Sequence, residues 1–187
     1  MRVKPPPSRV VLVDGVDRIT VEIPTRRNWF IILFLGFWLC GWAVGEVMVP
    51  MKFLSSDVPT PFALFSVVWL GVWTLGGSFA MAIFAWMLAG REVITITRDL
   101  ISIRRHVRRL GYTRIYEMAH LSRLRVDSQP YSIFDPQMGL AFYGLAGGRV
   151  AFDYGSSTVR FGNRIEEPDA LRILEASKKV VPSASLA

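Results

Sequence analysis

Two apolar runs, Trp29–Met51 and Phe62–Gly90, restrict this chain more than anything else in it. A bilayer crossing takes about 20 apolar residues at ~1.5 Å of rise each, and both runs reach that length. The first holds one ionisable residue, Glu46, and the second holds none. A helix in a soluble core keeps a polar stripe toward water, and neither run has one. The pattern predicts a membrane-crossing helical hairpin over 28–90, with Lys52–Pro61 as its link.

Charge orients the hairpin. Of 22 Lys and Arg residues, six precede Trp29, Lys52 alone lies in the link, and fifteen follow the second run from Arg91 onward. Basic residues beside helix ends stay in the cytoplasm. Both termini are therefore expected there, in a multi-pass protein. The single cysteine, Cys40, lies inside the first run, so no disulfide framework exists. A cleaved signal peptide is not expected. The first run is too long for one, follows 28 residues of patterned sequence, and ends without a small-x-small site.

Residues 1–27 read as a cytoplasmic arm. Lys4–Pro7 is basic and proline-rich, and the runs Arg9–Val13 and Arg18–Ile23 flank Asp14-Gly15, a β-hairpin signal. Ile19, Val21 and Ile23 share one face, which this chain's own domain or a partner must cover. Residues 91–181 break into short β runs separated by turns: Glu92–Thr97, Leu100–Val107, Tyr112–Met118, Leu121–Val126, Met138–Leu145, Arg149–Tyr154 and Ser157–Gly162. Such spacing predicts an antiparallel barrel or sandwich. Pro168 with Glu166, Glu167 and Asp169 then opens a helix whose apolar face is Ala170, Ile173, Leu174 and Ser177. That helix is expected to plug one end of the β domain, and 182–187 is a tail.

The run Gly90-Arg91-Glu92-Val93-Ile94-Thr95-Ile96-Thr97-Arg98-Asp99-Leu100-Ile101-Ser102-Ile103, behind an aromatic-rich apolar helix, resembles bacterial pleckstrin-homology-like (PH-like) domains that follow transmembrane hairpins. Phe152-Asp153-Tyr154-Gly155 and Arg160-Phe161-Gly162, before an acidic helix start, are similar to the same group. The resemblance covers roughly residues 60–180 and rests on element order. It implies a membrane hairpin plus a mainly-β domain of seven antiparallel strands and a C-terminal helix, in the bacterial inner membrane. It further implies a scaffold or interaction fold without catalytic residues.

Within the apolar runs, Gly41 and Gly45, and Gly76 and Ala80, are spaced for close helix packing, first of all within the hairpin. Trp38/Trp42 and Trp69/Trp73 are i, i+4 pairs away from the inner interface. They either fill space against lipid and each other or form an intramembrane face for a partner protein, or for a flat hydrophobic cofactor that would be contacted and not ligated. With no histidine in either run, no metal-bearing ring is ligated there, and no cofactor is expected. Glu46 is expected about one turn below the outer interface, solvated or bonded to Ser66. A small transporter built on Glu46 is the outlying alternative.

Arg98, Arg104, Arg105, Arg108, Arg109 and Arg114, with only Asp99 among them, form the strongest charge feature. Near an inner leaflet, each basic residue gains about 1 kcal/mol from anionic lipid. An acidic partner would serve equally, and a solvated face is the plain alternative. Nucleic acid is not expected, since no reading helix or aromatic RNA motif appears. Nor is catalysis: His106 and His120 lack metal-ligand spacing, Gly144–Gly148 leads to a strand rather than a helix, and Asp135 and Asp153 look isolated. The sequence thus points to a non-catalytic accessory or scaffolding subunit of a larger inner-membrane complex (respiratory, photosynthetic or other). A membrane-anchored sensor of anionic lipid is the alternative.

Overall fold

The computed structural model describes residues 10–25, 27–55, 60–127, 143, 147–163 and 165–182. They form two compact units, one of Arg27–Leu88 and one that joins Met1–Arg26 to Ala89–Ala187.

The first unit is a pair of helices, α1 (Trp29–Ser55) and α2 (Thr60–Ala89). Trp29–Lys52 and Phe62–Ala89 are long and apolar enough to cross a membrane. Helix α1 runs through Pro50 and continues past the expected end at Met51. Gly90, expected to close the second helix, is instead the first residue of a strand.

The second unit is antiparallel β with one helix. A five-stranded sheet has the order β1 (Val11–Asp14), β2 (Arg18–Pro24), β3 (Gly90–Thr97), β4 (Leu100–Val107), β5 (Leu110–Glu117). A three-stranded sheet has the order β6 (Leu121–Val126), β7 (Val150–Tyr154), β8 (Ser157–Phe161). A 3-10 turn, Met118–His120, leads from one sheet to the other. The expected strand Met138–Leu145 lies, but for Tyr143, outside the described residues.

The N-terminal hairpin pairs with its own domain: Ile19 is opposite Ile96, Val21 opposite Ile94, and Pro24 opposite Arg91. Its turn is longer than a two-residue Asp-Gly turn, because Gly15–Asp17 separate the strands and the Gly15 amide donates to the Arg18 carbonyl at 2.9 Å. Alternation then sorts the side chains. Ile19, Val21, Ile94, Ile96, Ile101 and Ile103 all point to one face and are buried there.

That face shares one core with Leu121, Leu124, Val150, Phe152 and Phe161 of the smaller sheet. Helix α3 (Glu167–Ser177), with Pro168 in its first turn as expected, closes the core with Ala170, Ile173 and Ala176. It packs on β6 and β2, one strand from each sheet. Tyr116 meets Phe152 edge-on at 5.2 Å, which joins the two sheets through aromatic contact. Gly148 is required where it stands, since a Cβ there would lie 1.8 Å from the Phe161 carbonyl oxygen.

Phe152 is fully buried at the centre of this core. Phe152→Ala is expected to cost about 3–5 kcal/mol. The check is chemical denaturation followed by circular dichroism: the midpoint of the β transition falls while its slope holds.

Candidate functional site

In the helical unit, the contact between α1 and α2 is built from tryptophan and glycine. The Trp42 Nε1 donates to the Trp73 carbonyl at 3.2 Å. The Trp73 ring stacks on Trp69 at 4.9 Å and lies tilted against Trp38 at 6.1 Å. A Cβ on Gly77 would sit 1.9 Å from the Trp42 ring, so Gly77 is the notch that admits this indole. A Cβ on Gly45 would touch Trp73 at 3.6 Å, whereas Gly41 and Gly76 face open space. The glycine that matters on α2 is thus one residue beyond Gly76, and helix register rather than the small-residue spacing selects it. The four tryptophans read as a partner face pack on one another, with Trp38 and Trp69 still 37% and 39% exposed.

The same register sets the level of Glu46. The Thr74 hydroxyl lies 2.9 Å from Glu46 Oε1 and 2.7 Å from the Leu70 carbonyl. The hydroxyl facing Glu46 belongs to Thr74, not Ser66, which lies eight residues or about 12 Å away along the helix.

In the β unit, the six arginines separate. Arg105 turns onto the core face with Glu92, directly opposite it. Its Nε and Nη2 donate to Glu92 Oε1 at 2.9 and 2.7 Å, while Glu92 Oε2 accepts the Gly162 amide at 3.0 Å. Both side chains are buried, so this pair is structural. Burial works against the Arg105 charge; the attraction of Glu92 and a hydrogen bond to the Tyr112 hydroxyl outweigh it and raise the already high guanidinium pKa. Arg98 sits at the far end of β3, 3.8 Å from Asp17.

Arg104, Arg108 and Arg109 remain exposed at the end where β3 begins, beside Arg91, which is ion-paired with Glu22. Arg108 holds a left-handed backbone at φ 53°, and its carbonyl oxygen is 3.0 Å from the His106 Nδ1. Arg114 lies over the Tyr112 ring, 5.6 Å from its centroid, on β5. The sequence therefore gathered more arginines into one patch than the sheet does.

Asp153, read as isolated, is the centre of a second charged node. It accepts from Thr158 Oγ1 at 2.8 Å and lies 2.6 Å from Arg123 and 3.1 Å from Arg125. Arg123 reaches it from a left-handed backbone, φ 51°, where the β6–β7 register shifts. The hydrogen bond from Thr158 foremost, then Arg125 and Arg123, holds the Asp153 carboxyl below the usual carboxylate range, against burial that opposes it. The signal for both nodes was an acid within an apolar strand run, Glu92 in step with the core residue Ile94 and Asp153 between Phe152 and Tyr154 in a strand buried on both faces.

The two histidines stay apart: His106 is at its turn, and His120 lies 3.8 Å from Glu117 on the surface. Among the described residues, no three His, Cys, Asp or Glu side chains come together to hold a metal ion. Asp135 lies outside the described residues, as does Gly144–Gly148 apart from its last two glycines. Comparison with family models, curated proteins and solved structures finds no match for this chain.

Three outcomes follow from this geometry. Gly77→Val should expel Trp42 and cost about 1–3 kcal/mol, with a red shift of indole emission, while Gly76→Val leaves both unchanged. Glu92→Gln should cost about 3–5 kcal/mol by leaving Arg105 buried without its counter-charge. Adding Arg105→Leu should restore part of that loss in the same unfolding experiment. Asp153 binds a proton less readily folded than unfolded. Its stabilisation is therefore complete above the unfolded-state value and fades as pH falls through the lower folded-state value. Acid titration should show that loss below about pH 4, and Thr158→Ala should shrink it.

Proposed function

We propose that this chain is a non-catalytic, membrane-anchored docking subunit: the hairpin holds it in a bacterial inner membrane and a PH-like β domain engages a partner on the cytoplasmic side. One observation carries this reading. Outside the apolar helices, exposed large apolar side chains occur at β1 and its turn (Val11, Val13, Val16) and along β5, the longer of these two edge strands, with Leu110 and Tyr112 on one face and Ile115 on the other. Exposed apolar surface of that kind marks interaction sites more often than chance. The helical unit supports it, because Phe30, Phe34, Phe37, Phe65 and Phe79 leave its sides open to lipid or to other helices. Strand β3 follows α2 directly in the chain, with no linker between them.

The decisive experiment is gentle detergent extraction from the native membrane, followed by size separation and mass spectrometry. Stoichiometric co-migration with a defined complex is the expected result. Migration as a monomer or small homo-oligomer would overturn the subunit reading.

A second reading rests on Arg104, Arg108 and Arg109, exposed near the start of β3. In nanodiscs, anionic lipid should slow hydrogen exchange over this turn relative to neutral lipid. The effect should fall as salt shortens the Debye length from about 10 Å, and vanish when the three become Gln. Equal exchange in both lipids would remove lipid sensing.

A further inference from the structure

We infer that β5 is a docking edge for an extended, acidic segment of a partner protein, which adds to the five-stranded sheet as a sixth strand. This rests on the docking reading above and names the partner's chemistry. Strand β5 is the last in its sheet, and no described strand lies beyond it. Only β4 pairs with it, from Leu100 opposite Glu117 to Val107 opposite Leu110. In an antiparallel edge strand, alternate residues direct N–H and C=O away from the neighbour, so the outer side of β5 presents a row of backbone donors and acceptors.

Sheet edges are normally blunted by shortness, bulges, lysine, proline or cover. The other three edges show such devices: β1 has four residues, β6 carries a register shift, and β8 has five residues. Strand β5 has eight residues in unbroken register and contains neither lysine nor proline. Leu110 is 83% and Ile115 63% exposed, one on each face of the strand.

Charge selects the occupant. Arg108 and Arg109 lead into the strand, Arg114 lies on it, and Arg104 stands opposite Thr113; Glu117 at the far end is its one acid. A second copy of the chain would bring the same positive cluster, and the whole chain carries +7. Leu110, Tyr112 and Arg114 share one face of β5, and Ile115 lies on the other with Arg104 opposite its face-mate Thr113, so an extended segment that carries acidic and apolar residues on both of its faces satisfies the backbone edge, the arginines and the exposed apolar side chains together.

The test uses the full chain in detergent and a synthetic peptide of about eight residues in a Glu-Glu-Val-Val repeat, the length of a strand with acid and apolar residues on each face. Binding is expected, with hydrogen-exchange protection confined to β5 and affinity that falls with salt. The corresponding Lys-Val peptide (Lys-Lys-Val-Val repeat) and Glu-Gly peptide (Glu-Glu-Gly-Gly repeat) should bind at least tenfold more weakly. Ile115→Lys, and separately Arg109→Glu with Arg114→Glu, should each lose binding; these exposed changes leave thermal unfolding unaltered. Equal binding of the Lys-Val peptide, protection away from β5, or peptide-free dimers protected at β5 would overturn the proposal. If Ile115→Lys still travels with the native complex, β5 is not the docking edge although the subunit reading stands. If the wild-type chain travels alone while the peptide binds, the subunit reading fails instead.

Discussion

The register between β2 and β3 is the constraint on which the rest depends. Pro24 lies opposite Arg91, yet the whole helical unit separates them in the chain. Neighbouring antiparallel strands sit about 4.8 Å apart, so the helical unit must leave and re-enter the sheet at almost one point. An even number of helices meets this condition, and the pair α1 and α2 is the smallest such set. Sheet and hairpin are thus each a condition of the other: β2 has no partner on its inner side unless α2 returns beside α1. The N-terminal strands belong to the β unit although they precede the helices, and the core residues Ile19, Val21 and Ile23 come from that distant stretch.

At the same corner of the sheet, Glu92 balances opposed effects. Taking a carboxylate and a guanidinium out of water costs several kcal/mol each, and Coulomb attraction alone does not always return it. Here three donors share two oxygens: Arg105 supplies two and the Gly162 amide supplies the third. The Gly162 bond matters most for architecture, because it links the strand that follows α2 to the chain leaving β8. A hydrophobic pair would fill the space but would leave that amide without an acceptor. Specific docking of one sheet on the other is what this buried charge contributes beyond packing.

Much of this was legible in the chain, and the misses share a physical cause. Period-two alternation located β2, β3 and β8, turn signals bracketed β4, and length with apolarity located α1 and α2. Charge at its ends and period located α3 to within a residue or so. What sequence spacing does not carry is registry between segments. It grouped six arginines because they are neighbours in sequence, whereas strand parity and the turns between strands send Arg105 inward and Arg98 to the opposite end. It chose Gly76 over Gly77 because one residue of helix rotation, about 100°, decides which side chain faces the partner helix, and Ser66 over Thr74 because the level at which two helices meet, here eight residues further along α2, is not carried by spacing. It left Asp153 isolated because Arg123 and Arg125 reach it from another strand.

The two left-handed arginines sharpen the contrast between the sheets. Non-glycine residues at positive φ cost roughly 1 kcal/mol or more, so each persists only where its surroundings hold it. Arg123 is held by Asp153 across a bulge, and the resulting twist spoils β6 as an edge for strand addition. Arg108 has no such ion pair; it is held by the tight turn and the His106 contact, and the strand behind it stays regular through all eight residues. The same backbone strain therefore closes one edge and leaves the other open. Three edges are thus short or bulged, while the fourth stays regular through eight residues with arginines at its start.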